Sequence, residues 1–369
     1  MGLTDTAEQA ALAATVRQLV STHSPMRRVR QVLDGDTAFD PDLWRRLADL
    51  GLPGITIPEA YGGAGGSLAD LAPALRELGR GLVPSPLVGS GVLAAHALLS
   101  LDEEPLKKKL LPQIATGELL GTLAVSEPGS DGWTDRRPST TAAGRPEGTV
   151  LNGTKHAVLN AAQTDLFLVH AHDGERNGIF LVRHDAPGIV VTPEPKLDRT
   201  TATGTISFNR TPAERVSGDA DAALDRVTDL AGIALACMQS AAMKKALDLT
   251  ADYAKVRYSF GQPIGSYQGV KHKLADIYTD WCLVDAATRR AVEAADSGEP
   301  DASACAAAAR LLASPAYVKA ARQMMMLHGG IGFTWEHDAH LFYKNAVSDS
   351  ILLGDPGFQR RRLARLLAV

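Results

Sequence analysis

Arg257, Phe260 and Gln268 bracket a turn of small residues in VRYSFGQPIGSYQGVKHKLADIY, residues 256–278. Arg257 ends one long helical pattern, FGQPIG reverses the chain, and Gln268, Lys271, His272 and Asp276 ride the next. A guanidinium and a primary amide beside a loop with free backbone N–H groups form a donor set suited to a diphosphate. A second run, LHGGIGFTWEHDAHLFYKNA at 327–346, places Gly329, Gly330 and Gly332 where backbone can approach a ligand closely or turn left-handed. A third, LAVSEPGSDGW at 123–133, offers the Ser126 hydroxyl and backbone N–H groups at a strand end, able to hydrogen-bond a flat heteroaromatic ring. Near the C-terminus, ILLGDPGFQRRRLARLL (351–367) sets a turn on Gly354, Asp355, Pro356 and Gly357 between an apolar run and a basic amphipathic helix. Taken alone, each segment also reads as an ordinary turn, so what matters is their order along the chain.

The elements that must position these residues change character twice. Residues 1–118 are helical in pattern: Asp40-Pro41 opens a helix with Leu43, Leu47 and Leu50 on one face, Gly51 stops it, and Leu71, Leu75 and Leu78 mark another over 68–82. From about Leu119 short β-branched runs separated by Gly, Pro, Asn and Asp predict a compact antiparallel sheet or barrel over 119–218. After Gly218 strand signals stop, and helical patterns occupy 220–257, 267–297, 301–327, 336–352 and 358–367. The expectation is an α+β fold, mostly α, in three domains: 1–118 helical, 119–218 β, and 219–369 a helical bundle.

Composition excludes several functions. A chain of 369 residues with net charge −4 and pI about 6.2 carries no basic field for DNA or RNA. Cys237, Cys282 and Cys305 are odd in number and widely spaced, and read as buried thiols in a reducing cytoplasm. The N-terminus lacks the pattern of a signal peptide, and no run approaches the roughly 18 apolar residues of a membrane span. Bland readings attach to the remaining candidates: Met324, Met325 and Met326 pack the bundle core, His272 and His328 are exposed or capping, and the arginines at 360–362 and 365 form a solvated face or a subunit contact.

Five segments, in this order and spacing, resemble those of the acyl-CoA dehydrogenase family across nearly the whole chain. GITIPEAYGG resembles its PEEYGG, AVSEPGSDG its TEPGAGSD flavin loop, and GTKHAVLNAAQTD its GxKxxITNxxxAD strand. RYSFGQPIGSYQ resembles RxxFGxPIxxFQ, and LHGGIGFTWEHDAHLFYKNA resembles QxxGGxGxxxExxxxRxxRDA. The resemblance implies that family's fold with a C-terminal four-helix bundle, FAD as cofactor, an acyl-CoA substrate, and an electron acceptor such as electron-transfer flavoprotein. It places Ser126 near the flavin N5, with the 157–160 strand, including Asn160, at the ring. It also implies that Arg257, Phe260, Gln268, Gly329 and Gly330 hold the pyrophosphate and adenine half of a flavin bound mainly by a neighbouring subunit, hence an oligomer.

The family's chemistry takes an α-proton with a desolvated Glu while a β-hydride passes to the flavin. Counting from Lys344-Asn345-Ala346, which stand for RDA, the base falls on Leu353; in members that carry it on the preceding long helix it falls near Ala231. Leucine and alanine cannot take a proton. Asp355 and Asp229 lie two residues from these positions. Met326 replaces a Gln, Lys344-Asn345 replaces Arg-Asp, and the flavin loop is two residues short. The leading expectation is a base-lacking subunit that completes the flavin site of a homologous, catalytic subunit. The alternatives are a self-sufficient homo-oligomer using Asp355 or Asp229, and a non-redox scaffold on the same fold.

Overall fold

Polar caps start the N-terminal helices. Thr6 and Gln9 form a capping box ahead of α1 (Ala7–His23), which α2 (Met26–Asp34) follows. Asp40 accepts from the Asp42 and Leu43 N–H groups and Pro41 opens α3 (Pro41–Asp49); Gly51, at φ 76°, turns the chain away. A Ser67–Asp70 box starts α4 (Leu68–Arg80), whose Leu71, Leu75 and Leu78 are all buried. A π-helical stretch, Val88–Ala94, runs into α5 (Ala95–Leu99), and α6 (Glu104–Ala115) ends this domain. The computed structural model describes residues 5–35, 37–130, 133–134, 137–145 and 148–368.

The middle domain holds β1 (Gly121–Ala124), β2 (Thr141–Arg145), β3 (Gly148–Leu159), β4 (Leu166–His172), β5 (Asn177–Arg183), β6 (Ile189–Pro193) and β7 (Thr203–Val216). The sheet runs β1-β4-β2-β3-β7-β5, and β4 also pairs with β5, so β4, β2, β3, β7 and β5 close into a barrel, with β1 added beside β4 and β6 beside β7. It is mixed and not purely antiparallel: β1 runs parallel to β4. The chain enters β1 from α6 and returns to β4 only after the β2–β3 hairpin, a long connection of the kind a parallel pair needs. β3 is interrupted at Lys155/Val158, where His156 and Ala157 leave the ladder with β7 and Ala157 adopts φ 52°.

The C-terminal domain is α7 (Ala220–Val256), α8 (Gln268–Ser297), α9 (Ala302–His328), α10 (Ala339–Ile351) and α11 (Pro356–Leu366). Two short strands, β8 (Tyr258–Ser259) and β9 (Gln262–Pro263), make a small hairpin between α7 and α8, a stretch read from sequence as a turn only. At 37 residues α7 is about 55 Å long. Residues 227–237 of α7 are buried without a break, as expected of a helix enclosed on all sides, and it supplies residues to three of the four apolar clusters.

Some expected burial does not occur. Met324 is buried, but Met326 is largely exposed at the bundle end, because it precedes a glycine turn with no helix packed over it. Cys237 is buried, whereas Cys282 is exposed and Cys305 partly so, both on outward-facing helix positions. Arg362 is buried against Asp229 and not part of a solvated face. Among the described residues no helix is long and apolar enough to cross a membrane.

α4 meets α7 at Gly79, where an added Cβ would stand 2.3 Å from the Met238 carbonyl oxygen and 2.5 Å from its Cα. Alanine gains about 1 kcal/mol of helix propensity over glycine, but overpacking against backbone costs about 1–3 kcal/mol. Gly79→Ala is therefore expected to lower stability by up to about 2 kcal/mol in urea unfolding; a raised midpoint would contradict this close approach.

Candidate functional site

A cleft of about 640 Å³ opens between the barrel and the turn after α10, with Ser126, Trp133, His156, Ala157, Lys196 and Leu353 among its lining. Its barrel wall is set by a buried ion pair. Glu127, just past β1, accepts from Lys155 Nζ on β3 at 2.6 Å, from the Ser139 hydroxyl at 2.6 Å and from the Thr140 N–H at 2.8 Å. Lys155 also donates to the Val125 carbonyl at 3.0 Å, and its side chain is 0% exposed. Burial pushes the Glu127 carboxyl up, but the Lys155 charge and these donors outweigh it and hold it at about 2. Between the two partners' strands, the His156 N–H donates to the Ser126 carbonyl at 3.0 Å, and the Ala157 N–H donates to Glu194 Oε1 at 2.9 Å. The interruption in β3 thus aims His156 and Ala157 at the cleft, as bulges near sites commonly do.

The opposite wall is the end of α10. Arg310, 1% exposed on α9, donates to the Leu352 carbonyl at 2.9 Å, to the Asp349 carbonyl, to Gln239 Oε1 at 2.8 Å and to the Ser314 hydroxyl. Burial lowers its pKa to about 10, against the charge of Asp349. It satisfies helix-end carbonyls that lack intrahelical partners. Leu353 follows at φ 53° and Gly354 at φ 102°; a Cβ on Gly354 would meet the Phe358 ring at 2.4 Å, so the turn requires glycine there. Leu353 is 7% exposed and shares an apolar cluster with Ala231, Leu235 and Leu93.

The displaced carboxylates are committed elsewhere. Asp229 is paired with Arg362 at 2.6 Å, accepts from the Ser303 hydroxyl at 2.6 Å, and does not line the cleft. Asp355 lines its mouth but is exposed and caps α11 through the Phe358 N–H at 2.6 Å. The other acid of the lining, Glu194, accepts from Ala157 N–H and from the Thr203 and Thr205 hydroxyls at 2.7 and 2.8 Å. Among the described residues, then, no carboxylate of the cleft is uncommitted. Ser126 lies in the lining, its hydroxyl donating to the Trp133 carbonyl at 3.3 Å. Asn160 does not: it is buried at φ 51°, with its amide oxygen toward Gly89. Asp131 and Gly132 of the EPGSDG segment fall outside the described residues.

The other candidates gather at the far end of the bundle. The Tyr253 ring stacks on His328 at 4.3 Å and its hydroxyl donates to the His328 carbonyl at 3.3 Å, which joins the end of α7 to the glycine turn. There Arg257, Phe260, Gln268, Gly329 and Gly330 are exposed, Phe260 by 95% and at φ 51°. Gln268 opens α8, which has no side-chain cap, and a Cβ on Gly329 or Gly330 would meet nothing within 4 Å. Val256, Phe333 and Trp335 add apolar exposure at this end. None of these residues lines the cleft. Arg257 stands about 40 Å along α7 from Asp229, at 1.5 Å per residue.

Sequence reasoning missed His156, Glu194, Lys196, Arg310 and Asp349. Asp349, buried on α10 one turn before Leu353, faces Asp198, Arg310, Lys196 and Asn345. Burial and the Asp198 charge push its carboxyl up from 3.8 to about 7, against Arg310 and Lys196. Between about pH 4 and 7 the unfolded chain has lost this proton while the folded chain keeps it, so stability falls as pH rises through that window, and the penalty is complete above it. Asp349→Asn removes the penalty. The variant is expected to exceed the parent at pH 8 by up to about 4 kcal/mol, at 1.36 kcal/mol per pKa unit, and to match it near pH 4. Urea unfolding at both pH values checks this, and an equal gain at both would contradict it.

Comparison with known proteins agrees with this geometry. Models of the acyl-CoA dehydrogenase N-terminal, middle and C-terminal domains match residues 6–118, 122–211 and 222–368. Acyl-CoA dehydrogenase IpdE2 of Mycolicibacterium smegmatis is 36% identical over 358 residues, covering 96% of this chain and 97% of that protein. A solved variant of the Tcur3481-Tcur3483 steroid ACAD is similar at TM-score 0.90 and 33% identity, over 98% of each chain. The ChsE4-ChsE5 complex from Mycobacterium tuberculosis is similar at TM-score 0.91 and 29% identity, over 100% of this chain and 99% of that one. This chain, with its helical, barrel and bundle domains, belongs to the acyl-CoA dehydrogenase family.

Proposed function

We propose that this chain is the base-lacking subunit of a heteromeric, FAD-dependent acyl-CoA dehydrogenase, in which a homologous subunit supplies the catalytic carboxylate. The observation that carries the reading is Leu353: it occupies the cleft in a rigid left-handed turn, packed among apolar side chains, and no described acid of that cleft is free to take a proton. A general base contributes roughly 10²–10⁴ in rate, so a cleft without one cannot sustain the dehydrogenation alone. Two of the similar solved structures are complexes of two different chains by their names.

The donor chemistry fits FAD at both places. The cleft presents the Ser126 hydroxyl, His156 and Lys196 beside apolar Trp133 and Leu353, a set that complements a flat ring with acceptors on one edge. At the far end Arg257, the Gln268 amide and the uncapped start of α8 suit a pyrophosphate. Along α7, Ala231, which packs in the Leu353 cluster, and Arg257 stand about 39 Å apart at 1.5 Å per residue, more than one dinucleotide spans, so the far end serves a flavin whose ring lies in a neighbouring subunit. Bound FAD supplies the acceptor for the β-hydride. This chain's part is to hold the dinucleotide with Arg257 and Gln268 and to bury the exposed Phe260, Phe333 and Trp335 against its partner. The substrate is read as a bulky acyl-CoA, after the steroid ACAD among the similar structures, and electrons leave to an acceptor such as electron-transfer flavoprotein.

Co-expression with a homologous chain that carries Glu at the base position tests this. Visible flavin absorbance and acyl-CoA dehydrogenation are expected only in the complex. Replacing the partner's Glu should cut the rate about 10²-fold or more, while the volume-conserving Leu353→Met here leaves it within about threefold. Arg257→Ala should weaken FAD retention about 10-fold or more, since a charged hydrogen bond contributes roughly 1.5–3 kcal/mol. Turnover by this chain alone would overturn the proposal.

A further inference from the structure

Lys196 stands between two cavities. It lines the cleft and also a neighbouring cavity of about 500 Å³ that reaches toward α2 and includes Thr37, Gln163, Asp198 and Arg199. Its ammonium donates to the Thr201 carbonyl at 2.9 Å, one bond for a group with three donors. Two buried carboxylates back it from different elements. Asp198 accepts through one oxygen from the Thr200 N–H at 2.9 Å and hydroxyl at 2.7 Å, while its other oxygen has no partner. Asp349, on α10, also keeps one carboxylate oxygen without a partner. Asn345 ties the two elements together, donating to the Thr200 hydroxyl at 3.1 Å and accepting from Tyr317 at 2.9 Å. Burial lowers the Lys196 pKa, and the charges of Asp198, Asp349 and Glu194 push it back toward the ammonium form.

The balance of charge in the cleft follows from this. Its acids are committed, Glu194 to three donors and Asp355 to the cap of α11, and the Ser126 hydroxyl is given to the Trp133 carbonyl, whereas His156, Lys196 and Arg361 are the basic side chains of the lining. A half-buried cation facing a cavity is matched by a ligand with a delocalised negative edge. We propose that Lys196 is an anion-recognition residue of this cleft, charge-balanced from behind by Asp198 and Asp349. Two sources share that chemistry: the deprotonated N1–C2=O edge of reduced flavin, and the terminal carboxylate of an ω-carboxyacyl thioester. The flavin arm rests on the function proposed above; the thioester arm does not.

The test uses the full chain, alone and co-purified with its homologous partner, titrated with oxidised FAD, dithionite-reduced FAD at pH 8, butanoyl-CoA and succinyl-CoA. In one of the two pairs the anionic probe is expected to bind about 10–100-fold tighter than its neutral counterpart, the range of a charged hydrogen bond. That pair names the source. Lys196→Met should bring the ratio within about threefold of unity, and Lys196→Arg, which keeps the charge, should retain most of it. Circular dichroism of both variants separates lost binding from lost fold, and Lys196→Arg carries the test if Lys196→Met does not fold: loss of the preference in a folded Lys196→Arg overturns the specific ammonium contact. An unchanged ratio in folded Lys196→Met, or no anionic preference in the parent, overturns the proposal. Failure of oxidised FAD to bind even with the partner would overturn the flavin reading, while a succinyl-CoA preference lost in Lys196→Met would leave Lys196 assigned.

Discussion

The cleft depends on one buried ion pair. Glu127 and Lys155 are almost wholly removed from water, so each charge has surrendered its hydration and is tolerated only because the other lies 2.6 Å away and the remaining polar positions are filled. The net stabilisation from such a pair is small, but losing one partner leaves a bare buried charge that costs about 3–5 kcal/mol. The pair therefore acts as a constraint on geometry. It fixes the end of β1 against the middle of β3, and Ser126, one residue before Glu127, and His156, one residue after Lys155, are placed by that fact. Glu194 then holds the displaced Ala157 N–H from the third side, so the barrel wall has no freedom to drift.

The turn that closes the opposite wall is built without regard to what residue 353 is. Arg310 holds the last carbonyls of α10, Gly354 permits a close approach to Phe358, and Asp355 caps α11. None of these contacts uses the side chain of residue 353. A carboxylate or a leucine can stand there on the same backbone, and the left-handed φ of 53° costs about the same for either. Leucine recovers free energy by packing into the cluster around Ala231 and Leu235, where a carboxylate would pay desolvation. Leucine at 353 is thus locally favoured over a carboxylate, and the turn around it needs neither.

The helices were legible because periodicity and caps agree: Asp40-Pro41, Ser67 with Asp70, and Gly51 each act where they stand. The place of Leu353 just ahead of the Gly354 turn was legible by counting from Lys344-Asn345-Ala346. The parallel entry of β1 was not, since alternation of residues carries no information on strand direction. The irregularity at His156-Ala157 was hidden because a non-glycine residue at positive φ leaves no mark in composition. Arg310 in AAAARLLASP and Asp349 in VSDS passed without notice, and Arg362 in RRRLAR read as part of a solvated face or a subunit contact, because a sequence shows a charge without its burial. Long-range pairs such as Asp229–Arg362 are the ones that one-dimensional patterns least reveal.

α7 connects two ends that face different requirements. Near Asp229, Ala231 and Leu235 of α7 pack in the apolar cluster of Leu353; about 40 Å away, Arg257 and the glycine turn are exposed. Between them α7 is buried over its first half and carries polar and charged side chains such as Gln239, Lys244 and Asp248 over its second. Substitutions at one end are therefore free of the other, as expected for sites far beyond 10 Å with no shared partners. In the heteromeric assembly proposed above, each shared flavin needs one competent cleft and one competent far end. On that proposal the cleft of one chain could do without a base as long as its hairpin stays intact, and Arg257, Phe260 and Gln268 beside Leu353 are the combination such an asymmetry would leave.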